Sequence, residues 1–238
     1  CRGIAEHWRQ DMPAKRVVNL CRNGYAGAAA DGVIVWSGDI SARWDVLARQ
    51  ITEGIKAACS GLAYWTLDIG GFFVCDGRVA AKGCGANGQR NPAWFWRGGY
   101  QDGADDPAYR ELYLRWMQYG IFTPMMRSHG ADTPRELYYY GKAGEPIYDA
   151  MLEAIKLRYR LQPYIYGTAW QVTKHNDTFM RALFMDFASD SRARDINNEY
   201  MFGRAILATP VLHSQYTPEI ARKDKDANAG WDKNTGLV

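Results

Sequence analysis

Arg22, Asp39, Asp68 and His129 are chemically capable side chains that share one kind of position: each lies at or just past the end of a short apolar run. Asp39 closes Trp36-Ser37-Gly38-Asp39, Asp68 ends Trp65-Thr66-Leu67-Asp68, and His129 sits in Arg127-Ser128-His129-Gly130. Two carboxylates at one mouth are the equipment of glycosidic bond cleavage. One protonates the leaving oxygen, and the other attacks the anomeric carbon or activates water. By residue type and position alone, Asp39 and Asp68 can be that pair. The ring of Trp36 beside Asp39 would shelter its carboxyl from water, as a general acid requires. Arg22 would steady a neighbouring carboxylate or bind a sugar hydroxyl, or form an ordinary surface ion pair. His129 has no second histidine at ligand spacing, so it reads as a hydrogen-bonding residue and not a metal ligand.

The elements that must carry these residues follow from hydropathy spacing. The runs "RVVNLC" (16–21) and "GVIVWSGD" (32–39) are too apolar to be half exposed, which suits strands of a buried parallel sheet. Ser41 is placed to cap a helix over 42–59, where Trp44, Leu47, Ile51 and Ile55 recur at helical spacing. A third strand is predicted over 61–73 with a Gly-Gly break, and a fourth over 121–130. Between them lie a long loop, Asp76 to Asp106, and a helix over 107–120. Trp94, Phe95 and Trp96 in that loop would wall the mouth or pack as a structural excursion. A long helix is predicted from Glu145 to about Trp170, interrupted near Pro163. This alternation of strands and helices predicts an α/β fold, four units or half of a TIM-type (β/α)8 barrel, whose strand C-terminal ends bring the four residues to one face. From Asn176 onward, short extended runs at 178–187 and 199–213 predict a second, β-rich region, giving domains 1–175 and 176–238.

Composition narrows the function. The chain has 238 residues and a net charge of +3 with the two signs interspersed, so no basic stripe invites a nucleic acid. No apolar run approaches the roughly 20 residues that span a bilayer, so no membrane partner is expected. Five cysteines include no CxxC pair and no histidine at ligand spacing, and the expectation is neither metal nor cofactor. Cys75 and Cys84 either pair, as in an oxidising compartment, or are buried or free thiols. Aromatic residues make up 13% of the chain, with nine Trp and fifteen Tyr, which favours a carbohydrate ligand because such rings stack on the apolar faces of sugars.

The ordered set "KRVVNLCRNGYAG", "WSGDISARWDVLARQI", "SGLAYWTLDIGGFF", "RWMQYGIFTPMMRSHG" and "KLRYRLQPYIY", spanning about Lys15 to Pro210, resembles glycoside hydrolase family 31, the α-glucosidase and α-xylosidase family. The resemblance implies a retaining mechanism on a (β/α)8 barrel followed by a β-sandwich, with an oligosaccharide substrate and no cofactor. It implies Asp39 as the general acid/base and a nucleophile aspartate on an earlier barrel strand, upstream of Cys1. Asp68 would then line the sugar pocket with Trp65 and Phe72, while Arg22, Trp36, Arg127 and His129 hold the sugar at the bond-cleaving position. One departure stands out. Where the family commonly reads "GQQRYG", this chain has Gly27-Ala28-Ala29-Ala30-Asp31-Gly32, and the family's "RS" is Arg22-Asn23 here. The alternative is therefore a degenerate, carbohydrate-binding or scaffold descendant of such an enzyme.

Overall fold

A computed structural model describes residues 1–75, 98–100 and 102–217. Its first sheet has three parallel strands in sequence order: β1 (Asn19–Cys21), β2 (Val33–Trp36) and β3 (Trp65–Thr66). The register sets Cys21 opposite Val35 and Trp36 opposite Thr66. Between β2 and β3 runs α2 (Trp44–Cys59), whose buried face of Trp44, Leu47, Ile51 and Ile55 is the stripe that the sequence spacing predicts. Its start differs from the prediction. Arg43 occupies the cap position with its side chain on Asp45 and no side-chain capping bond, and Ser41 instead forms a parallel bridge to Phe73. Helix α3 (Pro107–Gly120) begins as expected, with Asp106 accepting from Ala108 N at 2.9 Å and Pro107 in the first turn. Its tyrosines 109, 113 and 119 and Trp116 are fully buried and form the aromatic heart of the core.

The predicted fourth strand is the clearest correction. Residues 121–130 make only one parallel bridge, Ile69 with Ser128. Side chains satisfy the preceding carbonyls in place of a ladder. The buried Arg158 donates to the carbonyls of Ile121 and Thr123 at 2.6 Å each and of Pro124 at 3.0 Å, and Thr66 Oγ1 takes that of Met125 at 2.9 Å. Pro124 has no N–H to offer in any case. β1 is shorter than the predicted run and is not enclosed: Val18 is 68% and Leu20 42% exposed, because no described strand covers its outer edge. The opening residues, for which the sequence predicted no element, form α1 (Arg2–Asp11).

The predicted long helix is two: α4 (Pro146–Arg160) and α5 (Gln162–His175), divided at Leu161 just before Pro163. Asn176 ends α5 in the left-handed conformation at φ 54°. A second sheet follows, antiparallel β4 (Met180–Arg181), β5 (Tyr200–Phe202) and β6 (Ile206–Ala208). The run 178–187 is extended only at β4, since Leu183–Asp186 turn into a short helix, α6. The sheet is tied to the helical layer: Tyr200 Oη donates to the Phe122 carbonyl at 2.7 Å and Tyr164 Oη to that of Phe202 at 2.7 Å.

Candidate active site

Beyond the strand ends, backbone bonds lace the successive loops into one rim. Phe72 N and Phe73 N donate to the Ile40 carbonyl at 2.6 and 3.1 Å, Ala42 N to Phe73 at 2.8 Å, Ile69 N to Arg127 at 3.1 Å, and Ala131 N to Phe72 at 3.1 Å. This close approach needs the Gly70-Gly71 pair. Both have positive φ, 93° and 80°, and a Cβ on Gly71 would stand 2.5 Å from Ala42 N. The three segments carrying Asp39, Asp68 to Phe72, and Arg127 to His129 are therefore fixed side by side.

On that rim, Arg22 Nη2 donates to Asp39 Oδ1 at 2.9 Å, and its guanidinium lies 5.3 Å from the centre of the Trp36 ring. The Asp39 side chain is 25% exposed, open enough to meet a ligand. No other described side chain bonds Asp39, so Oδ2 is not committed. Deeper in, Arg127 Nη2 donates to Asp68 Oδ1, while Asp68 Oδ2 has no partner among the described residues. Asp68 is fully buried, and that burial pushes its carboxyl up from the ordinary range. The charges of Arg127 and His129 pull it back, and that of Asp39 adds to the rise. All four charged groups thus share one neighbourhood. Phe72 packs beside His129 with ring centres 5.6 Å apart, giving the rim an apolar wall.

Two sequence assignments change. Trp65 does not reach the rim. It is 6% exposed within the core, with its indole nitrogen 3.0 Å from where a Cβ on Gly54 of α2 would sit, because its position in β3 turns it toward the helix layer. Asp68 lies beneath the rim rather than on it, and a carboxylate with no exposed surface cannot reach an anomeric carbon. The pairing of Asp39 with Asp68 as the two catalytic carboxyls is set aside on that ground. The loop with Trp94, Phe95 and Trp96 lies outside the described residues. Arg22 contacts Asp39 and Trp36, Phe72 contacts His129, and Arg127 contacts Asp68, which feels the charges of Asp39 and His129, so the four strand-end residues Arg22, Asp39, Asp68 and His129 share one end of the sheet.

Supporting residues that sequence reasoning missed lie under the rim. Tyr113 Oη is 2.8 Å from Ser128 Oγ and donates to the Arg135 carbonyl at 2.7 Å, and Ser128 Oγ donates to Ile69 at 3.1 Å. Arg135 donates to the carbonyls of Gly71 and Thr133 while lying 5.8 and 5.9 Å over the rings of Tyr109 and Tyr113. Asp132 receives Val74 N and Cys75 N at 3.1 Å. The available signal was the i, i+4 spacing of Tyr109 and Tyr113, which put two hydroxyls on one helix face. At 28–31 the chain forms a 3-10 turn with Ala28 and Asp31 buried. Tyr25 Oη donates to Asp31 Oδ2 at 3.3 Å, and Arg9 Nη2 to the Ala30 carbonyl at 2.8 Å. Cys75 is disulfide-bonded, and Cys84 lies outside the described residues. Among the described residues no His, Cys, Asp and Glu group is arranged to hold a metal ion, and no helix is long and apolar enough to cross a membrane.

Residues 1–168 match the glycosyl hydrolases family 31 TIM-barrel domain, and residues 176–224 match the family 31 C-terminal domain. The chain belongs to glycoside hydrolase family 31. An α-xylosidase of Saccharolobus solfataricus is 36% identical over 210 residues, 88% of this chain and 24% of that protein. α-Xylosidase A of Aspergillus niger is 34% identical over 212 residues, 82% of this chain and 26% of that protein. The crystal structure of a family 31 α-xylosidase from Xanthomonas citri superposes with a TM-score of 0.73 at 38% identity, covering 89% of this chain and 21% of that one. The chain thus spans about a quarter of the length of the curated relatives it matches. Within the family 31 frame it is part of the catalytic TIM barrel joined to the start of the C-terminal domain, which is the fold class the strand and helix order predicts.

Proposed function

We propose that the protein is a retaining, exo-acting α-glycoside hydrolase that releases α-linked xylose or glucose from oligosaccharides, with Asp39 as its general acid/base. The observation that carries this is the Arg22–Asp39 contact on the strand-end rim. It engages Oδ1 and leaves Oδ2 free to hold and deliver a proton toward the opening. In the first step the Asp39 carboxyl protonates the glycosidic oxygen while a nucleophile carboxylate attacks the anomeric carbon. In the second, the Asp39 carboxylate takes a proton from the water that breaks the glycosyl-enzyme bond. We place the nucleophile on a barrel strand outside these 238 residues, since the retaining geometry needs a carboxyl about 5–5.5 Å from the acid with access to the sugar, and Asp68 is sealed.

Arg22, Arg127 and His129 orient sugar hydroxyls, and Trp36 and Phe72 supply apolar walls against the ring. Asp68 acts through Arg127, holding its guanidinium in place. The barrel portion ends at 175 and the sandwich begins at 176 in this reading. The printed names of the relatives at 34% identity and above favour xylose. Proton NMR of the sugar first released by the full-length protein from an aryl α-xyloside tests the mechanism. The α-anomer is expected ahead of mutarotation, and initial β-anomer would rule out retention.

A further inference from the structure

Cys1 and Cys21 lie beside the rim and take no part in the proposed cleavage. Their sulfurs are 2.9 Å apart, and both thiols are free. Each stands on backbone that is already fixed. Cys1 caps α1, its carbonyl accepting from Ala5 N at 2.9 Å, and Cys21 ends β1 opposite Val35. α1 is held down in turn by Arg9 Nη2 on the Ala30 carbonyl at 2.8 Å and Trp8 Nε1 on that of Lys15 at 3.1 Å. The entropy that opposes closing the loop between residues 1 and 21 is therefore met by the fold itself. The sulfurs must approach by only about 1 Å to bond. Cys59, the other free thiol among the described residues, is exposed as the last residue of α2 and bonds no described cysteine.

We propose that Cys1 and Cys21 are a redox-active dithiol that closes by exchange with a small disulfide such as oxidised glutathione. One protein thiolate attacks the glutathione disulfide, forming a mixed disulfide and releasing one glutathione thiolate. The second protein thiolate attacks the protein sulfur of that mixed disulfide, forms the Cys1–Cys21 bond and expels the other glutathione. The two cysteines give up two electrons and two protons, which leave as two molecules of reduced glutathione. Because Arg22 follows Cys21 directly and holds Asp39, the bond clamps the backbone next to the acid's partner. This holds whatever sugar the rim accepts.

The test treats the chain with oxidised glutathione, alkylates the remaining thiols in acid-quenched samples, and maps unreduced tryptic peptides by mass spectrometry. The expected product joins the Val17–Arg22 peptide to the one bearing Cys1, with no glutathione on either, while Cys59 carries at most one glutathione. In Cys21→Ser, Cys1 should keep its glutathione, having no second thiol to expel it. Guanidinium should abolish the selectivity. Glutathione on both Cys1 and Cys21, alkylation of both, cross-links to Cys59 at equal yield, or the same pairing in guanidinium would each overturn the proposal.

Discussion

At the residue scale, the strand-end rim holds two carboxylates at different depths, and depth decides what each can do. Asp39 and Asp68 look alike as carboxylates after apolar runs, yet one is a quarter exposed and the other sealed against Arg127. Nothing in residue type distinguishes them, because depth is set by which later segment covers them. Trp65 was misplaced for a related reason: in a strand whose neighbours are all apolar, inward and outward faces cannot be told apart by periodicity. The Arg127–Asp68 pair makes a sharp prediction. Asp68→Ala leaves a largely buried guanidinium without its partner and should cost about 3–5 kcal/mol of stability, read by denaturant unfolding. Asp68→Asn in the full-length protein should act mainly by raising KM for xylosides, since it loosens Arg127 without touching Asp39. A wild-type KM in that variant would detach Asp68 from the sugar.

At the element scale, α2 and α3 follow their sequence patterns, because an amphipathic stripe and an Asp-Pro start are local signals. The fourth strand failed because its partner groups come from far along the chain, Arg158 above all. The Gly-Gly break is legible in the sequence as an interruption of the third strand, and its purpose appears only in the contact with Ala42. Gly71→Ala should force that contact open, disorder the rim and lower both stability and sugar binding, by about 2–4 kcal/mol in unfolding free energy. A melting curve unchanged by the substitution would show that the rim tolerates the displacement. Glu111 of α3 gathers Thr217 Oγ1 at 2.5 Å and the N–H groups of Gln215 and Thr217 at 2.7 and 2.9 Å. Its burial pushes the carboxyl up, but these donors outweigh that and hold it below its ordinary value of 4.5. A depressed carboxylate stabilises the fold above its unfolded value. The contribution should be complete above about pH 4.5 and lost as pH falls further. Glu111→Gln should flatten that acid limb of the stability curve, and an unchanged limb would assign it to other carboxyls.

At the scale of the whole molecule, the alternation of strands and helices was enough to predict a barrel portion with a β-rich successor, since these signals are periodic and repeated. Half a barrel leaves strand edges unpaired and part of its apolar wall exposed, and Val18 and Leu20, turned to solvent at β1, whose outer edge no described strand covers, are that wall. An unpaired apolar edge recruits other chains. The 238-residue chain should self-associate in light scattering, and Val18→Lys should reduce that association without changing the far-ultraviolet circular dichroism. A monomer at high micromolar concentration would show that the edge is already protected. The most direct measurement of all is kcat/KM for the full-length protein and its Asp39→Asn variant on a xylosyl oligosaccharide and on an α-xylosyl fluoride. General acid catalysis matters only for the poor leaving group, so the variant should lose about 10²–10⁴-fold on the oligosaccharide and far less on the fluoride. Equal rates of variant and wild type on the oligosaccharide would contradict Asp39 as the acid.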